Sequence, residues 1–148
     1  MSKGTMYFEN IEEGSEAPAL VKDDICRTDI VRYAGASGDF SPIHHDEIVA
    51  KRSGNEKVYA MGMMSAGYLG HMITDWLGDG TLRKLSFRFM ERVWSGDRLI
   101  CRGVVKHKYK EDSENRVECE VWVENQSGKK VITGKAIAAL SSMPSSNA

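Results

Sequence analysis

Gly62-Met63-Met64-Ser65-Ala66-Gly67-Tyr68-Leu69-Gly70-His71-Met72-Ile73-Thr74-Asp75-Trp76-Leu77-Gly78 is the stretch on which the fold turns. It is long enough for about four turns of α-helix. Apolar or small side chains occupy almost every side of it, so it reads as a buried helix rather than a surface one. Gly62, Gly67 and Gly70 weaken the helix, at about 1 kcal/mol for each interior glycine. Close approach of neighbouring backbone is the expected compensation. The methionines read as core packing, not as a ligand box.

Downstream of this helix the period changes to two. Leu85, Phe87, Phe89 and Val93 alternate with Lys84, Ser86, Arg88 and Arg92, the signature of a half-buried strand. Ser95-Gly96-Asp97 reads as a turn. A second strand places Leu99, Cys101 and Val105 on one face, with Arg98, Arg102 and Lys106 on the other. The charged run Lys110 to Asn115 reads as a solvated loop. Val117, Cys119, Val121 and Val123 then mark a third strand. After the turn Asn125-Gln126-Ser127-Gly128 comes a fourth, with Ile132, Gly134, Ala136, Ala138 and Leu140 on one face. Helices followed by a four-strand antiparallel meander make an α+β chain. The economical packing is an antiparallel β-sheet wrapped around the long central helix.

Upstream, Phe8 to Gly14 is a lead-in and Leu20 to Ile25 a candidate strand. Thr28 is the expected N-cap of a short helix stopping at Gly35, with Asp29 favoured in its first turn by the helix dipole. Asp46 is placed to cap a second short helix, Glu47 to Arg52. Between the two lies Ala36-Ser37-Gly38-Asp39-Phe40-Ser41-Pro42-Ile43-His44-His45-Asp46. Gly38 frees the backbone before Asp39, while Pro42 fixes φ and biases Ser41 towards an extended conformation. The loop is therefore expected to be stiff and to present Asp39 and His44 together. A carboxylate beside an imidazole is a competent proton-transfer pair near neutral pH. A metal site from His44, His45 and Asp46 is disfavoured, because adjacent side chains diverge in extended chain.

Composition narrows the function classes. At 148 residues, with 41% hydrophobic and 28% charged side chains, the chain is an ordinary globular domain with enough length for a core. Residues 1–140 form one domain in this reading, and residues 141–148 a disordered, Ser-rich tail. Twenty basic and 21 acidic groups leave a net charge of −1, which argues against nucleic acid or an anionic membrane as partner. Neither a signal-peptide run nor a membrane span is legible, and a cytoplasmic location is expected. The three cysteines fall outside any CxxC pair and are read as reduced packing residues.

The segment Tyr33-Ala34-Gly35-Ala36-Ser37-Gly38-Asp39-Phe40-Ser41-Pro42-Ile43-His44 resembles the hydratase motif of MaoC-like proteins, the (R)-specific enoyl-thioester hydratases and dehydratases of the hot-dog fold. The likeness continues through Gly62-Met63 and Thr74 to Gly78 and spans Phe8 to Leu140. It is especially similar to the B-type subunit of actinobacterial hydroxyacyl-carrier-protein dehydratases. The resemblance implies Asp39 and His44 as the catalytic pair, with the Gly62 N–H in an oxyanion hole and Ser41 at the substrate loop. It implies a CoA or acyl-carrier-protein thioester as substrate, no metal or redox cofactor, and a homodimer or a heterodimer with another hot-dog subunit. Ser41 stands where the family usually carries Asn, and Met61 where it usually carries His. Two other readings fit the fold: a subunit, catalytic or structural, of a heterodimeric dehydratase, and an acyl-thioesterase.

Overall fold

The computed structural model describes residues 5–145. A 3₁₀ turn at Phe8–Asn10 leads to strand β1 (Leu20–Lys22), helix α1 (Arg27–Ser37), a 3₁₀ turn at Pro42–His44, helix α2 (Glu47–Arg52) and helix α3 (Gly62–Leu77). Strands β2 (Leu82–Phe89), β3 (Leu99–Glu111), β4 (Glu114–Asn125) and β5 (Lys130–Leu140) complete the chain. The expected α+β plan holds, with one antiparallel sheet packed around α3, which touches all five strands.

The alternation along the strands sends one face inward. Leu99, Cys101 and Val105 of β3, Val117, Cys119, Val121 and Val123 of β4, and Ile132, Ala136 and Ala138 of β5 are buried. They meet Leu69, Met72, Ile73, Trp76 and Leu77 of α3 in a single core. Each fully buried Leu or Ile side chain there contributes about 1.5–3 kcal/mol. No helix among the described residues is long and apolar enough to cross a membrane.

Several local expectations need correction. The sheet is not a meander: its order is β1-β3-β4-β5-β2, so β2 pairs with β5. The edge of β3 that a meander would give to β2 is taken by β1, through Leu20 opposite Cys101. Strand β2 also ends at Phe89, and buried Val93 belongs to the connection that follows. The charged run after Lys110 is a tight hairpin, with Asp112 (φ 50°) and Ser113 (φ 64°) both left-handed. That pair of angles matches the right-handed twist of the flanking strands, so β3 and β4 run to the turn.

Helix α1 starts earlier and stops later than expected. Its N-cap is Cys26, whose N–H and Sγ–H both reach the Asp29 carboxylate at 3.2 and 3.1 Å. It runs through Gly35 to Ser37 and ends where Gly38 adopts φ +75° and its N–H reaches Ala34 O at 2.9 Å. Helix α3 is buried on one side only. Met63, Gly67, His71 and Asp75, four apart, form an outward stripe. An added Cβ at Gly67 or Gly70 would meet nothing within 4 Å, so close approach explains neither glycine.

At the ends of the chain, Phe8 N–H donates to Ser141 O (3.0 Å) and Met143 N–H to Glu9 Oε2 (2.9 Å). Asn115 Nδ2 donates to Ser142 Oγ (2.9 Å). The first part of the expected tail is thus bonded to the domain, and residues 146–148 lie outside the described residues.

Candidate active site

The late stop of α1 puts Asp39 directly after the left-handed Gly38 cap. Its N–H donates to Ser37 Oγ and its Oδ1 accepts from Ser41 N–H, both at 3.2 Å. Pro42 then opens the 3₁₀ turn, where His44 N–H donates to Ser41 O (3.1 Å) and Asp46 N–H to Pro42 O (2.7 Å). Asp46 Oδ1 in turn accepts from Ile48 and Val49 N–H at 2.8 and 3.1 Å, the N-cap foreseen for α2. The loop is therefore held at both ends by side chains that its own sequence supplies.

His44 is fixed from behind. Its Nδ1 lies 2.7 Å from Tyr59 O. A carbonyl only accepts, so Nδ1 carries the hydrogen and Nε2 of the neutral ring is left with the lone pair. The imidazole packs edge-on against the Tyr59 ring (5.1 Å), which packs on Trp94 (5.8 Å) and lies beneath the Arg92 guanidinium (5.3 Å). Ala60 N–H bonded to Val93 O at 2.8 Å secures that backbone. The His44 side chain is 11% exposed and that of Asp39 44%, with Nε2 3.8 Å from Asp39 Oδ2. That gap is too long for a direct hydrogen bond and suits a water lying between the two groups.

Both side chains face a cavity of about 470 Å³ that also takes in Gly62, Ser65, Phe89 and Val131. Met61 is the N-cap of α3 and supplies no side-chain hydrogen bond, so no side chain caps the amides of the first turn. A Cβ at Gly62 would lie 2.8 Å from Phe89 Cε1, so any larger residue there forces the Phe89 ring to move. Ser65 Oγ is the only buried side-chain oxygen or nitrogen among the described residues without a hydrogen-bond partner. Leaving a buried hydroxyl unpaired costs about 1–3 kcal/mol.

Three of the four residues singled out in the sequence, Asp39, His44 and Gly62, thus converge on one cavity. Ser41 does not line it: the residue is exposed and touches the site through its backbone, which holds Asp39. His45 is exposed. Among the described residues no group of three His, Cys, Asp or Glu side chains is placed to hold a metal. Tyr59 and Ser65 were not read as site residues, and Phe89 and Arg92, read only as strand residues, also line the cavity. Only Ser65, a small hydroxyl residue among the apolar residues that open α3, left a mark that could have been followed.

Residues 10–133 match the model of the MaoC like domain. The chain is 34% identical over 134 residues to an (R)-specific enoyl-CoA hydratase of Rhodospirillum rubrum, covering 88% of each chain. It is 29% identical over 136 residues to a 3-hydroxybutyryl-CoA dehydratase of Methylorubrum extorquens, covering 89% of this chain and 82% of the other. Among solved structures it is similar to the unliganded R-hydratase PhaJ1 from Pseudomonas aeruginosa. The TM-score is 0.84 at 27% identity, over 93% of this chain and 87% of that one.

Proposed function

The chain belongs to the MaoC-like domain family, and on that premise we propose that it is a hydro-lyase adding water reversibly to trans-2-enoyl-CoA. The product is the (R)-3-hydroxyacyl-CoA. The observation that carries this reading is the meeting of Asp39, His44 and the uncapped start of α3 on one cavity. The curated relatives, named for hydration and dehydration of acyl-CoAs, support CoA as the handle; an acyl-carrier protein would present the same thioester.

In this mechanism the water lies between Asp39 Oδ2 and His44 Nε2. The carboxylate accepts one of its hydrogens and orients it. As the water oxygen bonds to Cβ, Nε2 takes the second proton and then returns it to Cα on the same face, which is syn addition. The Tyr59 carbonyl keeps Nδ1 protonated and stabilises the transient imidazolium. Negative charge grows meanwhile on the thioester oxygen, and the Gly62 N–H at the positive end of α3 faces it. Dehydration is the same path reversed.

A second hot-dog subunit, either another copy or a different chain, would pair along the outer edge of β2, which has no partner strand among the described residues. Exposed Phe89 and Met90 lie at that edge, beside the cavity.

His44→Ala and Asp39→Asn should each lower kcat for crotonyl-CoA hydration by about 10²–10⁴-fold while the circular dichroism spectrum is kept. The loss of enoyl absorbance in the ultraviolet measures it. Full activity in both variants would remove the pair from the reaction.

A further inference from the structure

We propose that the Ser65 hydroxyl is a second hydrogen-bond donor to the substrate's thioester oxygen, acting beside the Gly62 N–H; this rests on the hydratase reading above. Ser65 is 1% exposed and lines the same cavity as Asp39, His44 and Gly62. A serine inside a helix normally spends its hydroxyl on a carbonyl three or four residues earlier. Ser65 makes no such bond, nor any other among the described residues.

Its placement accounts for the open valence. Side chains on a helix lean towards its N-terminus, so a side chain at Ser65 covers the turn that begins at Gly62. That brings the hydroxyl and the Gly62 N–H, both at the cavity, to the same first turn of α3. The ring of Phe89, 48% exposed, lies against Gly62 in the same cavity. Turning the ring outward admits a ligand oxygen. A thioester carbonyl whose oxygen gains charge during water addition is the acceptor this pair of donors suits, because donors held in place cost no reorganisation as the charge appears.

Ser65→Ala separates this role from a structural one. Removal of a hydroxyl that is unpaired in the free protein should leave the melting temperature unchanged or raised. Loss of one oxyanion donor should lower kcat for crotonyl-CoA by about 10²-fold, with KM changed far less. A bound 2,4-hexadienoyl-CoA, whose absorbance moves to longer wavelength when its carbonyl is polarised, should show a smaller red shift on the variant than on the wild type. A variant with wild-type kcat and red shift overturns the inference, as does one that loses melting temperature and activity together. If the wild type hydrates crotonyl-CoA and Ser65→Ala equals it, this inference alone falls. A wild type that neither binds nor hydrates the thioester takes the hydratase reading down with it.

Discussion

His44 has two ring nitrogens, and a main-chain carbonyl decides between them. Because Tyr59 O takes Nδ1–H, the lone pair faces the cavity whatever side chain stands at residue 59. Such a role leaves no trace in a residue type, so a reading of letters finds Asp39, His44 and Gly62 but not Tyr59. Asp39 and His44 were legible because turn residues bracket them in one stiff loop, whereas Gly62, at the head of α3, drew its role from the family resemblance alone. The cysteines give a second test at this scale. Burial pushes the thiols of Cys101 and Cys119 up to about 12, while Cys26 is only partly buried. An aromatic disulfide reagent at pH 8 should therefore label Cys26 alone in the native protein, and all three thiols after unfolding. Two fast thiols in the native state would contradict this. The pH effect has a definite sign. Above about pH 8.5 the unfolded chain gives up thiol protons that the folded chain keeps. Stability carried by those two groups is therefore full below that pH and lost as pH rises towards 12.

Elements were easier to find than their neighbours. Alternation along β2 to β5 reveals a strand and its inward face, and both were read correctly over most of each strand. Pairing depends on which edges are free, and the three residues of β1 settle that by occupying β3. The hairpin after Lys110 was hidden for a related reason: its charged residues suit a solvated loop and a solvated strand end equally well. The capping of α2 was visible, since an Asp before a short amphipathic run has few other uses. Asp46→Ala should cost about 1 kcal/mol in chemical denaturation, and Asp46→Asn much less. The loss should extend to activity, because the same residue anchors the far end of the Asp39–His44 loop. An alanine variant with unchanged midpoint and turnover would show that α2 needs no cap.

For the molecule as a whole, the unpartnered edge of β2 and the apolar side chains beside the cavity bear on assembly. Light scattering coupled to size-exclusion chromatography should give about twice the 16.5 kDa of one chain. A monomer active on crotonyl-CoA would count against pairing, and an inactive monomer would point to a different subunit as the partner. The strand order carries one more consequence. β2 finds its mate in β5, with Phe87 opposite Gly134 some 47 positions along the chain. Val131 O receives the N–H groups of Met90 and Glu91, which line the cavity. Long-range closures of this kind come late and slowly in folding. On a ribosome the proton-transfer loop leaves the exit tunnel early, and the wall that makes it useful arrives almost last. A nascent chain halted before Lys130 would hold every catalytic group named above but lack Val131, Ile132 and the strand that fixes Phe89 and Met90 at the cavity's edge.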